Sequence, residues 1–107
     1  MRLHCEIMTK FVIPAVRALI AIQLVRKYNM TQVEAARKLG VTQPAISYYL
    51  NSKRGKIVIE KIRKNKEIME LIEKLAELVY QEEPPEEIQK VMCEICAKVK
   101  KSKGLTE

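Results

Sequence analysis

The stretch "TQVEAARKLGVTQPAISYYL", residues 31–50, leaves the chain few ways to fold. Thr31 and Glu34 have the spacing of a capping box, in which hydroxyl and carboxylate each satisfy a free backbone N–H where a helix starts. Gly40 marks the end of that helix, since the left-handed residue that closes a helix is most often glycine. Thr42 restarts the chain as an N-cap, and Pro44 falls in the following first turn, where a missing N–H costs little. Two helices that cross near a right angle through so short a turn need a small residue where they touch. They also need glycine at the turn and a branched apolar residue after it. Ala36, Gly40 and Val41 stand in those places. Ile46, Tyr49 and Leu50 then fall on the inner face of the second helix, opposite Ala35, Ala36 and Leu39.

The flanking segments are helical too. One helix is expected from about Phe11 to Tyr28, with Pro14 in its first turn and apolar residues nearly all round it. Such a helix is buried on more than one side, against its own core or against a second subunit. After Gly55, "KIVIEKIRKN" is ambiguous between an extended piece and a helical turn. "KEIMELIEKLAELVYQ" is a helix with Ile68, Leu71, Ile72, Leu75, Leu78 and Val79 on one stripe. That stripe and the first helix either close the monomer core or form dimer contacts. "EEPPEE" breaks the pattern, and a last helix is expected from about Glu86 to Lys101, with Glu86 and Glu87 complementing its dipole. The fold class is therefore all-α, a bundle of about five helices. It divides into a helix-turn-helix unit over residues 1–56 and a helical extension over 57–107.

Charge narrows the function. The 107 residues carry a net charge of +7, which favours an anionic partner, nucleic acid before an acidic membrane surface. "FVIPAVRALIAIQLV" is interrupted by Pro14, Arg17 and Gln23, short of the roughly 20 apolar residues of a membrane span. With no secretory signal pattern and an odd number of cysteines, the expectation is a cytoplasmic protein. His4 is the only histidine, no glycine-rich phosphate loop is present, and no nucleophile sits beside a base. No enzymatic activity is expected.

"LGVTQPAISYYLNSKRG" resembles the helix-turn-helix of the phage repressor and Cro superfamily, of lambda-repressor-like fold. More broadly, the chain from "CEIMTKFVIPAVRALIAIQLV" through "KRGK" is similar to small archaeal predicted transcriptional regulators with a C-terminal C-x-x-C. The resemblance implies sequence-specific binding of double-stranded DNA by a homodimer, with the second helix, about 43–51, in the major groove. Carried over by position, Gln43, Pro44, Ser47 and Tyr48 project outward from that helix. Gln43 would meet an adenine edge and Pro44 a thymine methyl. Gln32 and Thr42 sit where helix starts approach phosphates, and Asn51, Lys53, Arg54 and Lys56 would clamp the backbone. The contrasting reading is a helical module that uses the same surfaces to bind protein.

"VMCEICAKVKK", residues 91–101, stands apart from this unit. On a helix, Ile88, Val91, Ile95 and Val99 form the apolar face, Cys96 its flank, and Cys93 lies about 60° further toward the polar side. Cys5 is the third thiol. Cys5, Cys93 and Cys96 fall one ligand short of a structural zinc shell, and suit a cluster with an open iron or a site shared across a dimer. Free or buried thiols and a disulfide are the other readings.

Overall fold

The computed structural model describes residues 12–101, and within them the chain forms six helices and no strand. They are α1 (Ile13–Tyr28), α2 (Gln32–Leu39), α3 (Gln43–Asn51), α4 (Lys53–Arg63), α5 (Lys66–Tyr80) and α6 (Pro85–Lys101). The expected helical starts and stops have local causes. Thr31 Oγ1 accepts the Glu34 N–H at 3.1 Å, the hydroxyl half of the expected capping box, and donates to the Glu34 carboxylate, which thus meets the hydroxyl. Gly40 closes α2 at φ 71°, and Thr42 Oγ1 accepts the Ala45 N–H to start α3.

The ambiguous "KIVIEKIRKN" segment is resolved as helix: it forms most of α4, which begins at Lys53. Ser52 is the reason. Its Oγ accepts the Gly55 N–H at 2.9 Å and donates to the Tyr49 carbonyl at 3.0 Å, so one hydroxyl ends α3 and opens α4. The chain therefore turns without a loop, and α4 crosses position 56/57, where the two expected units meet. Val58, Ile59 and Ile62 of α4 are buried, which orients the helix against α1.

Helix α1 is the centre of the molecule. Ala15, Val16, Ala18, Leu19, Ile20, Ala21 and Leu24 are all buried, because α2, α3 and α4 pack on it together with α5. Full burial of one such leucine or isoleucine contributes roughly 1.5–3 kcal/mol, and α1 supplies several. The stripe of α5 faces the same core, with Ile68, Ile72, Leu75, Ala76 and Val79 buried. Most of both surfaces offered as dimer contacts is thus covered within the protomer, while Leu71 and Leu78 of the stripe are half-buried.

Helix α6 closes the bundle by laying Val91, Ile95 and Val99 against α5 and the shared core. The hairpin of α5 and α6 is also fastened to the helix-turn-helix by contacts that local patterns do not announce. The Tyr80 ring stacks on Tyr28 with centroids 4.2 Å apart and 20° between planes. The turn after α5 puts Glu82 at φ 56°, where its carboxylate takes a 2.7 Å hydrogen bond and ion pair from Lys38 Nζ in α2. That hydrogen bond, reinforced by the lysine charge, holds the Glu82 carboxyl below its usual range.

Candidate nucleic-acid interface

Helix α3 has no fully buried residue: Ile46, Tyr49 and Leu50 are half-buried against the core. It therefore lies on the protein as a surface ridge, held from beneath by α2 and α1. Its outward side carries Pro44 and Tyr48, both exposed, with 78% of Tyr48 open to solvent. Thr42 is exposed and its hydroxyl is engaged in capping, leaving its backbone at the helix start.

Sequence reasoning placed Gln32 at a phosphate and Gln43 at a base as separate contacts. The structure brings them together. Gln32 is the first residue of α2 and Gln43 the first of α3, and Gln43 Nε2 donates to Gln32 Oε1 at 2.9 Å. This bond leaves the Gln32 amide nitrogen free of that partner, while Gln43 keeps its Oε1 and one amide hydrogen, the pair an adenine edge requires. It also joins two helix N-termini, whose free N–H groups and dipoles favour anions.

The remaining predicted residues divide into two groups. Asn51 Nδ2 donates to the Ser47 carbonyl at 2.8 Å, with the Ser47 hydroxyl 3.5 Å away, so these two side chains lock against each other at the end of α3. Lys53 and Lys56 lie exposed in the first turn of α4, at the same end of the ridge. Arg54 lies between them on α4, with its side chain outside the described part of the structure.

Arg26 was missed. It stands exposed near the end of α1 and lines, with Gln32 and Gln43, a cleft of ≈ 340 Å³ between α1 and α3 whose apolar wall includes Ile22, Val25 and Leu50. Its position five residues before the capping threonine is the sequence signal that could have drawn attention to it.

The cysteines do not join this interface. Cys93 is exposed and Cys96 half-buried, both as free thiols, while Cys5 lies outside the described residues. Burial, and then the neighbouring Cys93, push the Cys96 thiol above its ordinary range, partly opposed by Lys100. Among the described residues no three His, Cys, Asp or Glu side chains gather as metal ligands, and no helix is long and apolar enough to cross a membrane.

Comparison with known proteins agrees with this geometry. Residues 22–64 match a family model described as Helix-turn-helix, and the match spans from inside α1 through α4. No curated protein and no solved structure matches the chain significantly. Residues 22–64 therefore carry a helix-turn-helix domain of the phage repressor/Cro type, set in an all-α bundle.

Proposed function

We propose that the protein is a sequence-specific transcription regulator that binds double-stranded DNA as a homodimer, like the small archaeal regulators it resembles. The observation that carries this reading is the Gln32–Gln43 bridge, which sets one amide at the start of α3 and fixes it from the start of α2. Gln43 reads an adenine edge from the major groove, a contact contributing about 1–3 kcal/mol of discrimination. Gln32 turns its amide nitrogen to a phosphate and orients Gln43. Pro44 packs on a thymine methyl, while Ser47 and Tyr48 line the outward side of the ridge. Thr42 presents its helix start to a second phosphate. Lys53, Arg54 and Lys56 hold the backbone beyond α3, with Asn51 beside them.

In this reading residues 1–56 carry the DNA-reading surface, and residues 57–107 complete its core. A single α3 reaches few base pairs, so two copies on a two-fold site supply the affinity. The protein acts in the cytoplasm, on chromosomal DNA.

Binding to selected genomic fragments, followed by fluorescence anisotropy over a range of salt, tests the proposal. Gln43→Ala should relax preference at one base pair by about 1–3 kcal/mol. Lys53→Ala and Lys56→Ala should each weaken binding to all sequences and flatten the salt slope by roughly 0.9. Equal affinity for selected and random DNA would refute sequence-specific binding. Salt-insensitive association with a protein, with no DNA bound, would establish the protein-binding module instead.

A further inference from the structure

Helix α6 carries a sulfur-rich edge that DNA reading leaves unused. With Ile95, fully buried, as the centre of the apolar face, Val91 and Val99 lie about 40° to either side, at 3.6 residues per turn. On one flank follow Met92, Cys96 and Cys93, at about 60°, 100° and 160° from Ile95. Their burial follows the same order: Met92 and Cys96 are half-buried against the core and Cys93 is exposed. Three sulfur atoms thus occupy one arc from core to solvent, within little more than one helical turn, with Cys96 in the middle.

We propose that Met92, Cys93 and Cys96 form a binding site for a soft monovalent metal ion of the copper(I) class, with the two thiolates as principal ligands and the thioether as the third.

Geometry weighs against a disulfide here. Residues three apart on a helix hold their Cβ atoms about 5–6 Å apart, whereas a disulfide wants about 3.8 Å. The helix runs unbroken from Pro85 to Lys101, so closing that gap would distort it. An ion between the sulfurs adds two metal–sulfur bonds, each about 2.3 Å in the zinc case, and fits the wider spacing. Donor number then selects the ion. Structural zinc takes four ligands, and no group of three His, Cys, Asp or Glu side chains lies together among the described residues. Thiolate and thioether donors in low number suit copper(I).

Charge agrees. Two thiolates around a monovalent ion leave one negative charge, and Lys100 lies four residues beyond Cys96, at about 140° on the same edge. Its charge already acts on Cys96. Binding follows two R–SH plus M⁺ giving M(SR)₂⁻ plus two H⁺. The metal keeps its oxidation state.

The test uses the full chain, reduced and anaerobic, with copper(I) delivered from a chromophoric copper(I) chelator of known affinity. One copper per chain and the release of two protons are expected. Cys93→Ser and Cys96→Ser should each lose the transfer, and Met92→Leu should weaken it on the order of tenfold, as loss of a supporting partner does at metal sites. Cys5→Ser and Glu94→Gln should bind as the unaltered chain does, and excess zinc should not displace the copper. Circular dichroism of each variant separates loss of ligand from loss of helix, and Cys93→Ala provides a second, non-coordinating substitution. Failure to draw copper from the chelator overturns the site. So does loss of binding in Cys5→Ser, which would move the site to the N-terminus, or full retention in Cys93→Ser. Wild-type affinity in Met92→Leu overturns the role of the thioether. None of these readouts involves DNA, so the proposal stands or falls apart from the regulator reading.

Discussion

Gly55→Ala should destabilise the protein although alanine is the better helix former. Gly55 occupies the first turn of α4, pressed against the end of α3. A Cβ at this position would overlap the Tyr49 carbonyl oxygen and come within 2.7 Å of Ser52 Oγ. Neither can retreat cheaply: the carbonyl is backbone, and the hydroxyl is already bonded to both Tyr49 O and Gly55 N–H. Overpacking of this kind costs about 1–3 kcal/mol, and displacing the Ser52 cap adds about 1 kcal/mol. Against this, alanine gains about 1 kcal/mol over glycine in a helix. The net loss is about 1–3 kcal/mol, and each kcal/mol lowers the melting temperature by roughly 4–8 °C in a domain of this size. Thermal unfolding followed by circular dichroism at 222 nm measures it. Gly40→Ala is the informative contrast: nothing lies within 4 Å of a Cβ there, but φ is 71°. Its cost, about 1–2 kcal/mol, is purely conformational, so Gly40→Asn should recover part of it. No such relief is expected at Gly55. A Gly55→Ala protein as stable as the parent would refute the tight α3–α4 junction.

Three further outcomes are expected. A double-mutant cycle on Tyr28→Leu and Tyr80→Leu should show a coupling of about 0.5–1.5 kcal/mol, the usual value for a ring pair, and additive losses would remove the stack. Limited alkylation at mildly alkaline pH, mapped by mass spectrometry, should modify exposed Cys93 before Cys96, whose thiol is held up by burial; the reverse order would contradict the α6 orientation. In an NMR titration Glu82 should lose its proton below the ordinary glutamate range, and Lys38→Met should return it there. A depressed folded-state pKa means that this contact supports the fold above the usual carboxylate pKa and is lost as pH falls through the folded value. An unchanged Glu82 titration in Lys38→Met would exclude the contact in solution.

Much of this architecture is legible because its signals are local. Thr31 with Glu34, Thr42 with Pro44, and Gly40 each act within four residues, and the 3.6 period of α5 and α6 assigns their faces without a partner. The α4 segment was illegible for a physical reason. Its first turn holds a glycine that reads as a stop, and Ile57, exposed, falls off the helical face shared by Val58, Ile59 and Ile62, which blurs the pattern. Its helicity comes from the Ser52 cap and from burial on α1, and burial is a tertiary fact. The Gln32–Gln43 bridge spans eleven residues and depends on the crossing of two helices, so each glutamine was visible but their partnership was not. Tyr28 with Tyr80 and Lys38 with Glu82 are more distant still, and no local pattern links them.

The central helix has a practical consequence for anyone wishing to transplant the DNA-reading unit. The segment 22–64 begins halfway along α1, and the apolar sides of that helix are divided between α2–α4 and α5. A fragment cut at residue 64 would lose α5 and leave the side of α1 that it packs on facing water. Such a fragment is expected to aggregate or stay unfolded, and grafts into other scaffolds would inherit the same defect. Portability therefore requires carrying α1 and α5 along, so that the smallest exchangeable piece is most of the chain.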